Sequence, residues 1–122
     1  MNRILVVDDS STMRKLLGHI LVPAGYQVLE AEDGVRALEQ LAQQDVQLVI
    51  ADLNMPQMNG LELVQALRKE PKFIDLPVIM LTTQSDEETR KRCLTAGANL
   101  FLVKPVPKDM VLFKVHSLLG GR

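Results

Sequence analysis

The sequence predicts an α/β protein built on a five-stranded parallel sheet with helices on both faces. Short, mostly apolar β-rich runs alternate five times with segments whose apolar residues recur at helical spacing. The short runs are apolar on successive residues, the pattern of strands buried on both faces of a parallel sheet. Right-handed crossovers then return each strand beside an earlier one, which makes the whole a (βα)5 doubly wound fold.

The first strand runs from Ile4 to Val7 and is stopped by Asp8-Asp9. Met13, Leu16, Leu17, Ile20 and Leu21 follow at i, i+3, i+4, i+7 and i+8, the apolar stripe of a first helix. Gln27 to Ala31 is the second strand, and Leu38 with Leu41 marks the second helix. Leu48 to Ala51 is the third strand, followed by Leu61, Val64 and Leu67 on a third helix. After the fourth strand, Val78 to Leu81, Ser85 with Glu88 reads as a capping box opening a fourth helix. Leu100 to Val103 is the fifth strand, and Pro107 suits the first turn of a fifth helix carrying Val111, Val115 and Leu118. Gly120-Gly121-Arg122 is expected to end it.

The 122 residues amount to one domain, 1–122, and at this size roughly two-thirds of the unfolded surface can be buried. With 14 Lys+Arg against 15 Asp+Glu, the charge of −1 argues against general affinity for nucleic acid or anionic membrane. The longest apolar stretches fall far short of the ~18 residues of a membrane span, so no membrane insertion is expected. Ile4 to Val7 is too short for a signal-peptide core, and the mature chain is expected to begin at Met1. The single cysteine, Cys93, reads as a buried small hydrophobe; it cannot form an internal disulfide and fits a reducing cytoplasm. His19 and His116 lack ligand-like spacing.

In a parallel sheet the residues just after each strand gather along one edge, where such folds bind ligands. Here those residues are Asp8-Asp9, Asp52-Leu53-Asn54, Thr82-Thr83-Gln84 and Lys104-Pro105. Each has a local reading: Asp8-Asp9 as a helix N-cap, Asp52 and Thr82 as turn residues, Lys104 as a solvated charge. A single shared site accounts for all four at once. Three carboxylates and one ammonium leave two negative charges, which a divalent cation would neutralise. Oxygen ligands without histidine or thiolate favour Mg2+ over Ca2+ on a shallow, hydrated rim. Magnesium beside a lysine and a hydroxyl is a phosphoryl-handling arrangement.

The run Asp52-Leu53-Asn54-Met55-Pro56-Gln57-Met58-Asn59-Gly60, with Asp8-Asp9, Thr82 and Lys104-Pro105, resembles the receiver domains of two-component response regulators, especially the single-domain chemotaxis type. The resemblance spans essentially the whole chain. It implies a two-layered, flavodoxin-like α/β sandwich with strand order 2-1-3-4-5. It also implies that Asp52 accepts a phosphoryl group from a sensor histidine kinase or a histidine phosphotransfer domain. Mg2+ would be held directly by Asp9, Asp52 and the Asn54 carbonyl, with Asp8 acting through water and Lys104 neutralising phosphoryl oxygens. Thr82 would sense the phosphoryl group and Phe101 would turn inward with it, although Phe101 reads equally well as plain core. The chain departs from the chemotaxis pattern at Phe101, where a tyrosine often sits, and at Thr83, where smaller residues are common. Asn54 and Gln84 would flank the hydrolytic water. A cis Lys104-Pro105 bond is implied as well.

The implied function is a switch that catalyses its own phosphorylation and dephosphorylation and is not otherwise an enzyme. Its effector would bind the face formed by the fourth helix, fifth strand and fifth helix, with Arg90, Lys91, Phe101, Met110 and Phe113 as candidate contacts. Two alternatives share parts of this pattern. An aspartyl-phosphate-type phosphatase also uses a carboxylate nucleophile with Mg2+, but it places a second Asp two residues on, where this chain has Asn54. A phosphorylation-independent module would have lost key site positions, which here are all filled. Neither glycine-rich nucleotide-binding pattern occurs, and direct contact with nucleic acid is not expected.

Overall fold

A computed structural model of the protein describes residues 2–120. The elements in order are β1 (Arg3–Val7), α1 (Ser11–Leu21), β2 (Gln27–Ala31), α2 (Gly34–Gln43), β3 (Leu48–Ala51), α3 (Gly60–Lys69), a 3-10 turn (Pro71–Phe73), β4 (Val78–Thr82), α4 (Glu87–Ala96), β5 (Leu100–Val103) and α5 (Lys108–Leu118). All strand pairs are parallel, in the order β2-β1-β3-β4-β5. The fold class and strand order are those expected.

Alternate residues of the central strands feed two separate cores, because successive side chains leave a strand on opposite faces. Ile4, Val6, Leu48, Ile50, Ile79 and Leu81 pack with Leu17 and Leu21 of α1 and Val111 and Val115 of α5. Leu5, Val7, Val49, Ala51, Val78 and Met80 pack with α2, α3 and Cys93 of α4. The architecture is therefore three layers, helices–sheet–helices, and not the two-layered sandwich that the resemblance implied. Two apolar strand faces each need their own helical cover.

Burial on both faces holds for β1, β3 and β4 but not for the sheet edges. In β2 Gln27 and Glu30 are exposed, and in β5 Val103 is 39% exposed. An edge strand has a neighbour on one side only, so part of its surface stays open to solvent. The α1 stripe is also narrower than its spacing suggests, with Leu16 51% exposed.

The helix starts depend on side-chain oxygens that satisfy the unpaired first-turn amides. Ser10, not Asp8-Asp9, caps α1 by accepting from the Met13 amide at 3.2 Å. Asp86, not Ser85, caps α4 by accepting from Thr89, one residue later than the expected box. Pro107 is the N-cap of α5 and so lies just before its first turn. A capping box that the sequence reading missed, Asn59 with Glu62, opens α3 directly after the Asp52 loop. Cys93 is fully buried, and burial pushes its thiol pKa up, so it packs as the apolar group expected. His19 and His116 lie exposed on α1 and α5. The α5 helix ends at Leu118, and of the Gly120-Gly121-Arg122 ending only Gly120 lies within the described residues.

Candidate functional site

Strand register assembles the rim. Val7 pairs with Ala51, so Asp8 and Asp52 leave neighbouring strands at the same level, and the Asp52 amide donates to the Val7 carbonyl at 2.8 Å. Thr82 ends β4 opposite Val103, and the Lys104 amide donates to the Thr82 carbonyl at 2.7 Å. Asp8, Asp9 and Asp52 each offer a carboxylate oxygen within 4.8 Å of the others. The Lys104 ammonium sits 3.0 Å from Asp8 Oδ2 and 3.7 Å from Asp52 Oδ2. The Lys104–Pro105 peptide is cis.

The three acids are not equivalent. Asp8 is only 3% exposed and fully engaged: Oδ1 accepts from the Ser10 amide at 2.9 Å while Oδ2 faces Lys104. Asp9 is exposed, and among the described residues its carboxylate has no hydrogen-bond partner. Asp52 is half-buried. Burial raises its pKa above the ordinary carboxylate value, and Lys104 pulls against that rise, while Asp8 adds to it and the Asn54 and Leu53 amides oppose it. With Asp8 committed to Lys104, the oxygens of Asp9 and Asp52 are the ones available to a hard cation. An all-oxygen set whose three carboxylates and one ammonium leave two negative charges fits Mg2+ by its donor chemistry.

Thr82 is completely buried, and its hydroxyl oxygen accepts from the Gln84 amide at 3.3 Å, so the local turn reading holds in this state. A hollow of about 180 Å3 is lined by Asn54, Asn59, Gln84, Thr89, Arg92 and Cys93, among others. Phe101 is half-buried against the core beneath α4. The proposed effector contacts do not all share one face. Met110 and Phe113 are 43% and 64% exposed on α5, whereas Lys91 lines a groove between α3 and α4 with Leu61, Gln65 and Thr95.

The Asp52–Gly60 loop is clamped at both ends. The Gly60 amide donates to the Leu53 carbonyl at 3.0 Å, and the Gly34 amide at the start of α2 donates to the Met58 carbonyl at 3.0 Å. Gln57 takes a positive φ of 65° between them. Sequence reasoning passed over two further groups. Arg14 donates to the Asp8 carbonyl at 2.6 Å and to Glu30 at 2.9 Å. Nothing in the spacing of residues 8, 14 and 30 marks that contact, which only the packing of α1 beside β2 creates.

Comparison with known proteins agrees with this geometry. Residues 4–116 match the response regulator receiver domain family. The chain is 45% identical over 120 residues to the chemotaxis protein CheY homolog of Campylobacter jejuni, covering 97% of this chain and 92% of that one. It is 44% identical to the chemotaxis protein CheY1 of Helicobacter pylori, covering 97% of each. Among solved structures, chemotaxis protein CheY4 of Vibrio cholerae superposes with a TM-score of 0.92 at 36% identity, covering 98% of this chain and 99% of that one. An acidic rim at the carboxyl ends of a 2-1-3-4-5 parallel sheet and a family match across nearly the whole chain lead to one conclusion: the protein belongs to the response regulator receiver domains of two-component signalling.

Proposed function

We propose that residues 1–122 form one receiver domain in which Asp52 accepts a phosphoryl group from a phosphohistidine of a sensor kinase or histidine phosphotransfer domain. The convergence of Asp8, Asp9 and Asp52 within 4.8 Å, with Lys104 3.7 Å from Asp52, carries this reading. In the transfer a P–O bond forms to an Asp52 oxygen as the P–N bond to histidine breaks. The imidazole leaves with the electron pair and takes a proton from solvent. Asp52 needs no general base, because a carboxylate has no proton to lose when it attacks. Lys104, already between Asp8 and Asp52, would offset negative charge on the transferred group. Asp9, Asp52 and the Asn54 carbonyl would hold Mg2+ directly, and Asp8 would act through water. When bound there, Mg2+ supplies charge neutralisation at the phosphoryl oxygens. The reading is tested by intact mass after incubation with a small phosphodonor and Mg2+. A chain that takes up no covalent phosphate would overturn it. An Asn at position 54 cannot serve as general acid, so nothing favours the phosphatase alternative.

The exposed Asp9 carboxylate and the committed Asp8 carboxylate give a metal prediction. Asp9→Ala should weaken Mg2+ binding more than Asp8→Ala, by about 100-fold against about 10-fold, in a calorimetric titration. Equal losses would count against the roles assigned.

Signalling would begin when the Thr82 hydroxyl leaves the Gln84 amide and donates to the phosphoryl group, drawing the loop after β4 with it and releasing Phe101 to turn inward. An effector would then meet a changed α4–β5–α5 face, including Met110, Phe113 and Phe101. Such couplings amount to ~1–3 kcal/mol, a 5- to 150-fold change in affinity. Thr82→Ala should leave Asp52 phosphorylatable yet remove most of that gain, as measured by binding of phosphorylated and unphosphorylated protein to the cognate target. Full retention of the gain would break the route from Asp52 through Thr82. The relatives named as chemotaxis proteins support a chemotaxis role, and the single cysteine fits a cytoplasmic location.

A further inference from the structure

Every polar group of Asp8 is used within the chain. Its amide donates to the Ala31 carbonyl of β2 at 3.0 Å, and its carboxylate serves Ser10 and Lys104. The carbonyl is the unusual member. Residue 8 lies past the end of β1 and before α1, so neither ladder nor helix supplies its donor. Arg14 does, reaching it from the first turns of α1 through Nη1 at 2.6 Å, while its Nε holds Glu30 Oε1 of β2 at 2.9 Å. The guanidinium is largely covered, with the Arg14 side chain 16% exposed, which favours one fixed geometry over a loose surface pair.

We propose that Arg14 is a positioning residue for the acidic rim: held by Glu30, it grips the Asp8 carbonyl and so fixes the Asp8–Asp9 peptide and the direction in which Asp9 presents its carboxylate. Asp8 is then bracketed to β2 twice, once by its own amide and once through Arg14. The inference rests on the metal reading above for its consequence, though not for the clamp itself. It also sets geometry against charge. A cation beside an acidic site opposes metal binding by simple repulsion. Arg14 as a mere charge predicts that its loss tightens Mg2+ binding, whereas Arg14 as a clamp predicts the reverse.

The test compares wild type with Arg14→Ala, Arg14→Lys and Glu30→Gln in two measurements, Mg2+ affinity by calorimetry and amide hydrogen exchange without metal. Arg14→Ala should weaken Mg2+ binding about 10-fold, at the lower end of losses seen on removing groups that orient metal ligands. Arg14→Lys, which keeps the charge but cannot span both partners with a planar fork, should fall between, and Glu30→Gln should follow Arg14→Lys. Without metal, the Ser10 amide should exchange faster in Arg14→Ala while core amides of β1 and β3 keep their rates. Unchanged or tighter Mg2+ binding in Arg14→Ala would overturn the proposal. So would a general loss of stability that leaves the Ser10 amide no faster than its neighbours. If wild type bound no Mg2+, the metal reading would fail on its own, and Ser10 exchange would still decide whether Arg14 holds the turn.

Discussion

Asp52→Asn is expected to carry no covalent phosphate after incubation with a small phosphodonor and Mg2+, and to melt at a higher temperature than wild type at neutral pH. The first effect is total because the attacking oxygen is lost, and labelling that persists would place the acceptor elsewhere. The second follows from the environment of Asp52. Burial and the neighbouring Asp8 raise its folded-state pKa above the unfolded value despite Lys104. A carboxyl raised in this way favours the folded state while protonated. That contribution is present below the unfolded value, and it is lost as pH rises through the folded one. Above both values the ionised Asp52 weighs against folding, and asparagine removes that burden. The melting difference should therefore be greatest at neutral pH and shrink as pH falls through the ordinary aspartate range. Added Mg2+ should narrow it again by stabilising only the chain that binds the ion. A variant that melts below wild type at neutral pH would contradict the burial argument.

Gly60→Ala is expected to cost about 3 kcal/mol of stability, read as a lower urea midpoint, because overpacking of a rigid contact has no cheap relief. A methyl at residue 60 would collide with the Asp52 carbonyl oxygen, would come within 2.8 Å of Met80 Sδ and would touch Leu53 Cα at 3.0 Å. The backbone at the end of β3 would have to move. Gly18→Ala supplies the control, since a methyl there meets nothing within 4 Å on an α1 helix. Removing that helical glycine should stabilise by about 1 kcal/mol. Equal effects at the two positions would mean that Gly60 is not a packing requirement.

The residues themselves determined the architecture. Apolar runs at Leu48–Ala51 and Val78–Leu81 can be buried only inside a parallel sheet, and the residues that end those strands must then share an edge. Asp8, Asp9, Asp52, Thr82 and Lys104 were legible for that reason, since strand ends are local features that topology brings together. What the sequence could not express is how each group is used once it arrives. Asp8 and Asp9 are adjacent and chemically identical, yet one is buried against Lys104 and the other is exposed. Strand alternation and the path of the chain into α1 separate them, and neither shows in the letters. Ser10 displaced Asp8-Asp9 as the cap, and Asp86 displaced Ser85, because capping depends on which residue first leaves helical geometry. The sheet edges opened β2 and β5 to solvent because being last in a sheet is a property of the assembled fold. Arg14 reached Asp8 and Glu30 for the same reason: only the packing of α1 beside β2 brings a guanidinium from one segment to a carbonyl and a carboxylate of two others.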